Sequence, residues 1–128
     1  MNRLFLAALS ACLLASCNTM TPEQKAALQA QANRPVTCTA GTDCEVKWGR
    51  VLTWVRNNSS YKIAQATESL ISTMGPLKND PSPAFNISKT ANGNGTYTID
   101  FRGGCDNIFG CIPDLTVAKA NFNRFVMQ

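Results

Sequence analysis

The chain has 128 residues, enough for one modest domain and little else. It contains no histidine, which removes the commonest general base, the usual partner of a nucleophilic serine or cysteine, and the commonest metal ligand. Twelve Lys and Arg against eight Asp and Glu give a net charge of +4 with no run of like charge, so a nucleic-acid-binding face is not expected.

The first element is a leader. Arg3 supplies one positive charge, and the apolar run that follows carries none. That run is too short to cross a bilayer as a stable helix, which takes about 20 apolar residues. A charged start, a short apolar stretch and small residues at its end make the pattern of an export signal. Arg3 stays on the cytoplasmic side while the apolar part enters the translocon. Leu14-Ala15-Ser16-Cys17 then places an aliphatic residue and two small ones directly before a cysteine. This resembles the lipobox of bacterial lipoproteins at all four positions. The resemblance implies cleavage before Cys17, a diacylglycerol on its thiol and acylation of the new amino group. Two or three acyl chains hold a protein stably where one holds it marginally, at about 0.8 kcal/mol per buried CH2. Asn18 in place of Asp after the cysteine implies, in a cell with two membranes, an outer-membrane address facing the periplasm.

Residues 1–16 are therefore expected to be a signal peptide, 17–36 a lipidated N-terminus and tether, and 37–128 a disulfide-tied domain. In the tether, Thr21, Pro22 and Gln24 have the spacing of a capped helix start. The Ala- and Gln-rich stretch after it predicts a loose helix to about Asn33, ending before Pro35. Fully extended, the tether reaches about 60 Å, which would let the domain stand clear of the lipid headgroups.

Four cysteines remain after Cys12 leaves with the signal and Cys17 takes lipid: Cys38, Cys44, Cys105 and Cys111. An even number in an exported domain reads as two disulfides. A zinc site would want closer pairs. Three pairings are open. Equal spacing favours local bridges, whereas cross pairing would remove more unfolded-state entropy.

A helix is predicted from Asp43, with Thr42 and Glu45 at capping-box spacing. Cys44, Trp48, Val51, Leu52 and Val55 form its apolar stripe, which makes Trp48 a core residue and leaves Trp54 at the core edge. Tyr61 to Met74 reads as extended, either one bulged strand or two short ones turning near Thr67-Glu68-Ser69. The proline-bearing stretch to Pro83 is a loop. Residues 84–90 and 96–102 alternate apolar and polar around an Asn-Gly-rich turn and predict a hairpin. A last helix is predicted from about Pro113, with Leu115, Ala118, Phe122, Phe125 and Val126 on one face.

These elements make an α+β domain: a two-layer sandwich in which an antiparallel sheet of three or four strands is covered on one face by two helices, in α-β-β-β-α order. The order is similar to the arrangement called TATA-binding-protein-like, an analogy that implies no DNA binding. A three-strand version would gather all four cysteines at one end of the sheet. The lipobox, Cys44-Glu45-Val46-Lys47-Trp48 and Cys105-Asp106-Asn107-Ile108-Phe109-Gly110-Cys111 together resemble small uncharacterised lipoproteins of Gram-negative bacteria, over roughly residues 38–127. That resemblance brings no catalytic residue.

No cofactor and no metal is expected, and no catalytic residue is assigned. The eight acids Glu23, Asp43, Glu45, Glu68, Asp80, Asp100, Asp106 and Asp114 are mostly isolated and fit caps, turns or surface. Ile108 and Phe109, held between two cysteines, are the candidate binding loop; the competing role for Phe109 is a plug folded into the core. The expected function is a non-catalytic binding or envelope-assembly component. It is tethered to the membrane by its lipid and has an envelope protein as possible partner. The alternative is an inhibitor of an exported hydrolase such as a lysozyme, and an enzyme ranks last.

Overall fold

The computed structural model describes residues 19–128, so the leader and Cys17 lie outside the described residues. Its elements are α1 (Pro22–Ala32), β1 (Val36–Thr39), α2 (Thr42–Asn58), β2 (Ile63–Ala66), β3 (Leu70–Thr73), β4 (Ala84–Ala91), β5 (Thr96–Gly104) and α3 (Leu115–Val126). The five strands form one antiparallel sheet in the order β1-β5-β4-β3-β2. Alternation along the strands puts Val36, Ile71, Phe85, Ile87, Ile99 and Phe101 on the covered face. They meet Val51, Trp54 and Val55 of α2 and Ala118, Phe122 and Val126 of α3. Each large side chain buried there contributes about 1.5–3 kcal/mol.

The class is α+β, but the element order differs from α-β-β-β-α. A strand, β1, precedes α2, and the 61–74 stretch folds as the two-strand option. The Thr67 hydroxyl accepts N–H groups of Ser69 and Leu70 and thereby makes the turn between β2 and β3. This extra reversal changes the direction of every strand after it. Cys38 pairs with Tyr97 at the start of β5, whereas Cys105 follows the end of β5. The cysteines therefore occupy opposite ends of the sheet instead of one, and the bridges are local, Cys38–Cys44 and Cys105–Cys111.

The two tryptophans exchange their expected places. Trp54 is buried at the centre of the aromatic core, with edge contacts to Phe85 at 5.1 Å, Phe122 at 5.3 Å and Phe101 at 5.7 Å between ring centroids. Trp48 is half-buried on the opposite flank of α2. The reason is α3, which packs beside α2 and widens its buried arc on the Trp54 side. Nor does Thr42 cap α2: Gly41 is the cap residue and provides no side chain. The Asp43 carboxylate turns back to accept the Thr39 N–H at 2.8 Å.

Residues 22–32 are not a loose tether. The capping box of Thr21 and Gln24 forms, and the helix packs along α3. Asn123, only 2 % exposed, directs its Nδ2 to the carbonyls of Gln31, Ala32 and Arg34 at 2.9, 3.1 and 3.0 Å. These carbonyls lie at and just beyond the end of α1, where the helix's own ladder runs out, so the Asn123 amide supplies donors to the exit of the helix. Gln29, Ala32 and Asn33 lie beside Leu115, Thr116 and Lys119, while Thr19, Met20 and Gln24 lie by Arg124. The two helices thus run antiparallel. The chain enters the domain at the end away from the loop that precedes α3.

Candidate functional site

The sequence-selected loop lies at that far end. Cys105 closes β5, and its bridge to Cys111 pins a five-residue excursion. Inside it, Asn107 Oδ1 accepts the Phe109 N–H at 2.9 Å and the Asn107 carbonyl accepts the Gly110 N–H at 3.1 Å. Gly110 has φ of 91°, a conformation that costs a side-chain-bearing residue more. Outside the loop, the Pro-rich segment from β3 to β4 acts as a buttress. Asn107 Nδ2 donates to the Asn79 carbonyl at 3.2 Å, the Ile112 N–H donates to the Pro81 carbonyl at 2.9 Å, and Lys78 and Asp106 form a parallel bridge.

The buttress is itself fixed to the domain. The Leu77 N–H donates to the Tyr61 hydroxyl at 3.1 Å. A Cβ at Gly75, whose φ is 84°, would come within 2.9 Å of the Tyr61 ring. The Ser82 N–H, the Ser82 hydroxyl and the Tyr61 hydroxyl hold the Asp80 carboxyl below its ordinary range.

At the apex, Ile108 is 91 % and Phe109 92 % exposed. The core-plug role for Phe109 is therefore excluded. Ile112 and, on the neighbouring segment, Leu77 are exposed as well. Four apolar side chains on a hydrogen-bonded, disulfide-closed support make an apolar tip that no other described residue covers. Such exposure is uncommon on a soluble surface, which makes this apex a candidate contact site. Because the backbone is already ordered, little entropy would be lost if it docked.

A second feature was not anticipated from the sequence. Between α2 and the β3–β4–β5 side of the sheet opens a cleft of about 520 Å3. Trp48, Leu52, Ile71 and Tyr97 give it apolar walls. The Lys89 ammonium lies 5.2 Å from the Trp48 ring and 5.6 Å from the Tyr97 ring. The Trp48 indole is oriented by its Nε1–H, which donates to the Thr67 carbonyl at 2.9 Å. Glu45 and Glu68 stand at the rim. The signal was present in the strand pattern: β4 alternation puts Lys89 on the same face as Phe85 and Ile87, an inward position for a cation.

At the opposite end of the sheet from the tip, Asp43 bridges β1 and α2. Its carboxylate accepts the Thr39 N–H and pairs with Lys47 at 3.1 Å, which together lower its pKa from the ordinary value. Among the described residues, no three His, Cys, Asp or Glu side chains are grouped to hold a metal ion, and no helix is long and apolar enough to cross a membrane. Comparison with protein-family models, curated proteins and solved structures returns no match for this chain.

Proposed function

We propose that the protein is a lipid-anchored, non-catalytic binding component of the cell envelope. In this reading it is held through Cys17 in the outer membrane and presents Ile108 and Phe109 to an envelope protein in the periplasm. The observation that carries the reading is the exposed apolar apex on its disulfide-closed support. A core plug would have been buried, and a flexible loop would have lacked the hydrogen bonds to Asn79 and Pro81. The lipobox resemblance at Leu14-Ala15-Ser16-Cys17 supports the anchor.

A photo-crosslinking residue at position 109, in the lipidated protein expressed in intact cells, tests it. The expected result is one dominant crosslinked protein that disappears when Ile108 is changed to Ser. Identical capture from position 109 and from a residue on the outer sheet face, such as Thr90, would count against a specific tip. Labelling with a palmitate analogue, present in the native chain and absent in Cys17→Ala, tests the anchor separately.

Inhibition of an exported hydrolase is the second reading, and the projecting loop favours it. A narrow apex bearing Phe109 has the form of a plug for an active-site cleft. In that case the crosslinked species is a hydrolase, and the purified protein lowers its rate.

A further inference from the structure

The Trp48–Lys89–Tyr97 cleft lies away from the tip and calls for its own ligand. Lys89 is half-buried between two aromatic rings. Among the described residues its ammonium forms no ion pair and no hydrogen bond to an acceptor; the ion pairs are Lys47–Asp43 and Arg102–Asp100. Aromatic faces attract an ammonium by about 0.5–2 kcal/mol, yet they leave its three N–H donors without acceptors. The missing partner is an anion that presents oxygens. The two rings hold the ammonium in place beforehand, which limits the entropy lost when such an anion arrives.

The rim has the opposite charge. Glu45 and Glu68 are both exposed, and neither is in a salt bridge. A dianion such as a phosphate would meet them unfavourably, whereas a ligand with one carboxylate and one ammonium would satisfy both signs. The same cleft is lined by the apolar Leu52, Ile71 and Trp48. A volume of about 520 Å3 is in the range of small-ligand sites and accommodates two or three residues of peptide.

We propose that this cleft binds a short apolar zwitterion of the dipeptide type, with its carboxylate on Lys89, its ammonium toward Glu45 and Glu68, and its side chains over Leu52 and Ile71. The inference rests on the cleft alone and stands apart from the tip and from the lipid anchor.

Titration calorimetry on the purified full-length chain in detergent tests it, with three probes: the dipeptide Leu-Phe, its C-terminal amide and its N-acetyl form. Leu-Phe is expected to bind saturably. The amide should bind at least about 10-fold more weakly, because a charge-assisted hydrogen bond is lost. N-acetylation should weaken binding several-fold. Lys89→Met should remove the difference between acid and amide, and Lys89→Arg should keep it. The proposal fails if acid and amide bind alike to the native chain, if N-acetyl-Leu-Phe binds as well as Leu-Phe, or if no saturable binding appears by about 10 mM. The comparison of acid with amide needs no variant, so a misfolded Lys89→Met would not protect the idea. Phe109→Ser should leave all three affinities unchanged, which separates this site from the tip.

Discussion

Cys38–Cys44 and Cys105–Cys111 span the same sequence separation of six residues, at opposite ends of one sheet. The first pair is 3 % and 4 % exposed, belongs to the core cluster and fastens β1 to the first turn of α2. The second is half-buried, beneath a loop whose apex is almost wholly in solvent. Loop closure removes the same unfolded-state entropy in both cases, about 2 kcal/mol in the chain-entropy account. What differs is what each holds. One bridge is part of the packing that makes the domain, and the other fixes an exposed loop at its surface. Equal spacing in a sequence therefore says nothing about equal purpose.

The largest effect should come from the buried bridge. Cys38→Ala with Cys44→Ala is expected to cost about 4 kcal/mol in urea unfolding, because the packing of two core sulfurs is lost along with the loop closure. Cys105→Ala with Cys111→Ala should cost about 2 kcal/mol or less, while crosslinking from position 109 is lost. Equal stability losses in the two double variants would break the contrast.

Acid should sharpen it further. Asp43 at the buried end and Asp80 at the buttress both have pKa values below the ordinary 3.8. Each therefore adds stability that is fully present above 3.8 and is lost as the pH falls through the depressed folded value. In Asp43→Asn the fall in global stability below about pH 4 should flatten, as read from the Trp54 signal. In Asp80→Asn the change in that window should be confined to hydrogen exchange of the amides of residues 77–82. The smallest effect belongs to the apex: Phe109→Ser should shift stability by no more than about 0.5 kcal/mol while removing partner capture.

Much of this was legible in the sequence. The hairpin of β4 and β5 follows from alternation and its Asn-Gly turn, and α3 from its apolar face. The loop follows from two cysteines around Ile108 and Phe109, but whether Phe109 faces solvent or the core does not. β1 was not foreseen, because Val36-Thr37-Cys38-Thr39 is four residues long and becomes a strand only through its pairing with β5, sixty positions away. Its alternation was nevertheless present. Trp54 was misplaced because a single-helix stripe takes no account of a second helix alongside. The cleft went unnoticed because its parts come from α2, β4 and β5, and only the tertiary fold brings Trp48, Lys89 and Tyr97 together. Residues 61–74 left one strand or two open, and only the one-strand option puts the last cysteines at the end where the first pair lies.

The amide of Asn123 has a consequence beyond stability. By holding the end of α1 against α3, it makes residues 22–32 part of the domain and takes them out of any tether ahead of it. With α1 docked, a lipid on Cys17, as proposed, would be only the four steps from Cys17 to Thr21 away from folded protein, a span of at most about 14 Å against the 60 Å or so of an extended tether. The volume swept from a fixed point scales as the cube of reach, so it falls by about two orders of magnitude. Under the proposed anchor, a domain held so closely would meet only those partners that come near its point of attachment.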